Sequence, residues 1–150
     1  MKPNHDRMKQ DIVFEEGQID IIVEKMKKLS NEELNEAKIA AIATYLMNFY
    51  NGVENIIKRW AKEYSKRLPR KGSWHKELLN LSCSCNRGKV AIFSKDVVDK
   101  LYSYLIFRHF FVHGYGFKLD WEKMRSLVEN IDNLWKQMKG QLSMFMDKIQ

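Results

Sequence analysis

Residues Tyr104 to Phe117 read YLIFRHFFVHGYGF, and the fold turns on this stretch. Its apolar residues, with those just upstream, do not keep to one side of a helix. Val97, Leu101, Tyr104 and Phe111 share one side, while Val98, Leu105, Ile106 and Val112 lie on others. A helix that is apolar nearly all round must be covered nearly all round. One face can meet the core of a helical bundle. The other is covered either by a second copy of the chain, giving a homodimer, or by the rest of a monomer around a central helix. Arg108, His109 and His113 interrupt this apolar run, so three groups able to carry positive charge need an explanation.

Outward from this stretch, helical spacing recurs. Ser94 is placed to cap a helix over 95–114, with Gly114 and Gly116 as stop signals. Asp120 caps a last helix over 121–148, with Trp121, Met124, Leu127, Val128, Ile131, Leu134, Trp135, Met138, Leu142 and Phe145 inward. Met8, Ile12, Ile19, Ile22, Met26 and Leu29 mark a first helix over 8–29. Ser30 with Glu33 three residues on reads as a capping box, opening a second helix over 31–66. Its inner face runs from Leu34 and Ala37 through Ile42, Leu46, Phe49, Val53, Ile56, Ile57 and Trp60 to Tyr64. Gly52 inside it marks a bend or a close contact. Pro69 and Gly72 end that helix, and Ser73 caps a short one, WHKELLNLS. No strand alternation, repeat or linker stands out. The reading is all-α: an antiparallel bundle of four long helices plus a short one, as a single domain over 1–150.

Composition agrees. Hydrophobic residues make 45% and charged residues 30%, a globular balance, and 7 Gly with 2 Pro suit long helices rather than many turns. The net charge of +7 favours a polyanionic partner: nucleic acid, an anionic membrane or an acidic protein. No apolar run is long enough to span a membrane, and no leader follows the first charges. Cys83 and Cys85, one residue apart, fit a reducing cytoplasm better than a disulfide. With His75 they match no zinc spacing, so neither metal nor cofactor is expected.

Lys58, Arg59, Lys62, Lys66, Arg67, Arg70 and Lys71 cluster at the end of the second helix and its loop. They read as a phosphate-contacting patch, or as a solvated face near a helix C-terminus. Arg108 is sharper. A guanidinium keeps its proton, and burying it alone is costly. No acid lies within four residues of it, so it either finds a distant carboxylate or lines a cleft and waits for an anion. His109 and His113 share a face, but no acidic third metal ligand stands nearby. Arg108 and His113 lie about 140° apart on an ideal helix. A long Arg side chain, and unwinding before Gly114, let both heads converge at the helix end with Tyr115 beyond.

The string RHFFVHGY is Arg, four residues, His, one residue, Tyr. It resembles the Rx4HxY motif of HepT-like toxins, in the HEPN superfamily of helical ribonucleases, where the residue after the Arg is usually polar, as His109 is. YNGVENIIKRWAKEYSKRLPRKGSWHKELL resembles that family's second helix and following loop, and HGYGFKLDWEKM its run into the last helix. The likeness covers residues 34–148. It implies a HEPN-like homodimeric bundle and metal-independent cleavage of RNA. His113 would take the ribose 2′-OH proton, Arg108 would hold the phosphate, and His109 would support them. Lys58, Lys62, Lys66, Arg67, Arg70 and Lys71 would contact the RNA backbone. Two copies of the motif facing across a dimer would bring two imidazoles near one cleft, one as base and one as acid. The resemblance further implies a cytoplasmic toxin whose cognate antitoxin, a nucleotidyltransferase of the MntA kind, attaches AMP to Tyr115 and silences it. The alternatives are a non-catalytic helical partner subunit of a minimal nucleotidyltransferase, and a structural dimerisation module whose Arg108 sits on a buried carboxylate.

Overall fold

The computed structural model describes residues 5–64, 68, 72–84, 90–115 and 119–149. These form five α-helices: α1 (His5–Ser30), α2 (Glu36–Tyr64), α3 (Trp74–Leu81), α4 (Lys95–Phe110) and α5 (Trp121–Lys148), with a wide π-type turn (Phe111–Tyr115) after α4. The described residues contain no strand, and the all-α expectation holds.

Paired side chains set the directions. Asp11 meets Arg59, Glu15 meets Asn55 and Ile19 meets Gly52, so α1 and α2 run antiparallel. Gln141 binds Ser94, Gln137 binds Asp96, and the Tyr104 hydroxyl donates to the Leu127 carbonyl at 2.6 Å, so α4 and α5 are antiparallel too. Trp135 Nε1 donates to Asp20, and Lys27 pairs with Asp132, closing α5 onto α1. The four long helices make an antiparallel ring. The short α3 rests against α2 and α4.

The buried face of α2 is Ile42, Leu46, Phe49, Tyr50, Val53, Ile56, Ile57 and Trp60, and it supplies the largest share of one apolar cluster. Burial of side chains of this size stabilises by about 1.5–3 kcal/mol each. Trp60 Nε1 donates to the Val90 carbonyl at 2.9 Å, pinning the segment that leads into α4. Gly52 marks a close contact rather than a bend: a Cβ there would stand 2.8 Å from Ile19 Cγ1.

Four expected caps fare differently. Ser94 accepts from Val97 N–H, and Asp120 Oδ1 accepts from Glu122 N–H at 3.0 Å, as anticipated. Ser30 caps nothing. It ends α1, donating to the Lys27 carbonyl, and α2 starts six residues later, at Glu36, with Asn35 Oδ1 accepting from Lys38 N–H. The Ser30–Glu33 box lost to an asparagine that leaves room for the reversal between antiparallel helices. Ala37, expected inward, is exposed because the helix has barely begun there. Ser73 precedes α3, but its side chain makes no capping bond.

Along α4, Val97, Val98, Leu101, Tyr104 and Leu105 are buried within the protomer. Tyr102, Ile106, Phe110 and Val112 stay exposed, the last three at 54%, 39% and 51%. The second apolar face of this helix is therefore narrower than the sequence suggests, since Val98 and Leu105 belong to the core.

Candidate functional site

α4 does not end cleanly. After Phe110 the backbone widens, His113 adopts φ −83°, ψ 18°, and Gly114 takes φ 84°, ψ 16°. That left-handed conformation suits glycine, since a side chain there is strained even though open space surrounds it. Wide turns of this kind re-aim side chains at helix ends. Here His113 turns back beside His109, with ring centroids 4.1 Å apart at 64°.

Both histidines are exposed, while Arg108, immediately before His109, is half-buried. Arg108 Nε donates to Asn51 Oδ1 on α2 at 2.5 Å. Its partner among the described residues is thus a neutral amide. A cleft of about 570 Å³ runs between this end of α4 and the start of α3. Trp74, His75, Tyr102, Arg108, His109 and His113 line it. Arg108, His109 and His113 thus all line one cleft.

Behind the cleft-lining Arg108 and His75 stands a polar row on α2, Asn51 and Glu54. Glu54 is only 4% exposed. Its Oε2 lies 2.6 Å from His75 Nδ1, and its Oε1 lies 3.7 Å from Lys58 Nζ. The Trp74 ring stacks on His75 at 3.5 Å, and Lys58 Nζ sits 4.8 Å over Trp74. One turn back, the Tyr50 hydroxyl is buried and finds no hydrogen-bond partner among the described residues. Burial first, then the Glu54 charge, pushes that phenol far above its ordinary range, with Arg108 pulling the other way. Tyr50 thus feels both the carboxylate and the guanidinium.

The basic stretch is less uniform than its sequence. Arg59 is turned away from any patch: its Nε donates to Asp11 and its Nη1 to Glu63, each at 2.6 Å. Lys58 is half-committed to Glu54 and Trp74, and Lys62 is exposed. Lys66, Arg67, Arg70 and Lys71 lie outside the described residues, as do Cys85, Gly116 and the Tyr115 side chain. Among the described residues no cluster of His, Cys, Asp and Glu could hold a metal ion, and Cys83 is a free thiol.

Asn51, Glu54 and His75 were not singled out for this site by sequence. Glu54 carried a signal, because it falls between Val53 and Ile56 on a face that is otherwise apolar, and an acid there requires a partner. His75 drew notice only beside the cysteines. Asn51 carried none.

A family model described as HepT-like protein matches residues 41–149, a span that holds α4, the cleft and the whole Rx4HxY string. No curated protein and no solved structure matches the chain. With most of its length matched, the chain belongs to the HepT-like family.

Proposed function

We propose that this protein is the toxin of a toxin–antitoxin pair and a metal-independent endoribonuclease, acting as one domain. Membership of the HepT-like family points to a HEPN-type toxin. The observation that carries the enzymatic reading is the placement of Arg108. It is half-buried, it lines the cleft beside His113, and its described partner is the uncharged Asn51. A guanidinium so held keeps its charge for an incoming phosphate.

In this reading neutral His113 takes the proton of a ribose 2′-OH, and the 2′-oxygen attacks the adjacent phosphorus. Arg108 steadies the phosphate as negative charge builds on it. His109, packed against the His113 ring, keeps that ring facing the cleft. Lys62 and the basic residues Lys66, Arg67, Arg70 and Lys71 contact the RNA backbone, with Lys58 contributing less because Glu54 holds it. Tyr115 is the last residue of the turn that carries His113. AMP attached there by a partner nucleotidyltransferase would set a phosphate beside Arg108 and close the cleft to RNA. The exposed stripe of Tyr102, Ile106, Phe110 and Val112 suits burial against a second copy, giving a homodimer with the cleft at its edge.

The structural alternative requires a carboxylate on Arg108. The buried carboxylate nearby, Glu54, is instead engaged by His75 and Lys58. The test is direct. Purified protein incubated with RNA in EDTA should cut it, and His113→Ala should not. Undiminished cutting by the variant rejects the assignment, and RNA binding without cutting favours the non-catalytic partner subunit.

A further inference from the structure

The cleft contains an imidazole that the Arg108–His113 pair leaves without a task. His75 opens α3 on the wall opposite the end of α4. Its Nδ1 is 2.6 Å from Glu54 Oε2, and Glu54 is almost wholly buried. A carboxylate at that depth costs several kcal/mol unless its lone pairs are met. His75 and Lys58 meet them. The bond also settles the roles of the two ring nitrogens. Nδ1–H is committed to Glu54, so Nε2 is the nitrogen left for the cleft. Trp74, stacked at 3.5 Å, fixes the ring plane. An imidazole held by a carboxylate on one nitrogen and free on the other is the arrangement used for directed proton transfer. A simple tether of α3 to α2 would explain the Nδ1 bond, but not why the ring lines the cavity that Arg108 and His113 line.

We propose that His75, oriented by Glu54, donates the proton to the departing 5′-oxygen when this cleft cleaves RNA. The proposal rests on the ribonuclease reading above. The 2′-OH gives its proton to His113, and the 2′-oxygen forms a bond to phosphorus. The P–O5′ bond breaks with its electron pair on O5′, and that oxygen takes the Nε2 proton of the His75 imidazolium. The products are a 2′,3′-cyclic phosphate and a 5′-hydroxyl. His113 ends protonated and His75 neutral, and exchange with water restores both. Both proton carriers then belong to one protomer, and the acid step needs no imidazole from a second copy.

The experiment compares two RNA oligonucleotides that differ at the cleaved linkage. One carries the ordinary 5′-oxygen and the other a bridging 5′-sulfur, which departs as thiolate without a proton. His75→Asn places an amide where Nδ1 stood, keeping a donor to Glu54 while deleting Nε2. It should cut the oxygen linkage about 100-fold more slowly than wild type, yet cut the sulfur linkage at close to the wild-type rate. His113→Ala should be slow on both. Glu54→Gln, which loosens the ring, should show the His75→Asn pattern at smaller amplitude and covers the case in which His75→Asn does not fold. Equal slowing of both linkages by the His75 and Glu54 variants, or no slowing of either, overturns the proposal while the ribonuclease reading stands. Failure of the wild type to cut either linkage overturns both.

Discussion

Arg59 and Arg108 are both half-buried, and both reach across to another helix. Arg59 spans α2 and α1, with two carboxylates at 2.6 Å and a side chain 16% exposed. Arg108 spans α4 and α2, with one amide at 2.5 Å and a cleft on its open side. The first has its charge matched within the fold. The second is positioned by a neutral group and left for something else. On the proposed function the two arginines serve different purposes, and the partner, not the burial, tells them apart.

The widest separation between the two should appear on substitution. Arg108→Ala should slow single-turnover RNA cleavage about 1,000-fold, the scale of losing a charged group that acts on the developing anion, with little change in thermal stability. Arg59→Met should do the reverse, costing about 2 kcal/mol of stability for the two charged hydrogen bonds it removes while folded protein cuts at the wild-type rate. Thermal melts and cleavage rates on both variants check this, and matching profiles would dissolve the distinction.

A sharper version converts one arginine into the other. Asn51→Asp puts a carboxylate on Arg108 and makes it resemble Arg59. Cleavage should fall about 10-fold to 100-fold as the guanidinium is neutralised by its own protein, and the melting temperature should hold or rise. An unchanged rate would mean that the neutrality of Asn51 is incidental.

Smaller effects belong to the frame that carries both arginines. Gly52→Ala drives a methyl into Ile19 Cγ1, 2.8 Å away, on the α1–α2 seam where Arg59 sits. The overpacking outweighs the gain in helix propensity, for a net loss of about 1 kcal/mol, read by denaturant unfolding. Cleavage by the folded variant should change little, since Asn51, which holds Arg108, points about 100° around α2 from Gly52. Smallest is Asp20. Burial tends to raise its carboxyl, but hydrogen bonds from Trp135 and Lys139 outweigh that and hold it below its ordinary 3.8. A depressed folded-state value stabilises above pH 3.8 and loses that contribution as pH falls through the lower value. Asp20→Asn should therefore cost a few tenths of a kcal/mol at neutral pH, the scale of a screened surface pair. The gap between variant and wild type should close in acid melts.

The bundle was legible because helical spacing is local. Ile131, Leu134, Trp135, Met138, Leu142 and Phe145 declare a buried face within one helix, and the structure buries every one. The cap at Ser30 misled because a capping box is also local, and Asn35 beside it competes for the same job. The site was half legible. Arg108 and His113 lie five apart on one helix end, so their convergence could be reasoned from chain geometry. Asn51, Glu54 and His75 reach the same place from α2 and α3, and Asn51 is 57 residues from Arg108. No periodicity encodes such a meeting, since it depends on how three helices dock.

The most direct test of cleavage at this cleft is the chemistry of the cut. An RNA that the protein cleaves, and the same sequence with every 2′-OH methylated, should be incubated with the protein in EDTA and their fragments weighed by mass spectrometry. Attack by the 2′-oxygen predicts 2′,3′-cyclic phosphate ends from the first and an intact second. Cutting of the methylated strand, or fragments ending in a 3′-hydroxyl, would contradict it.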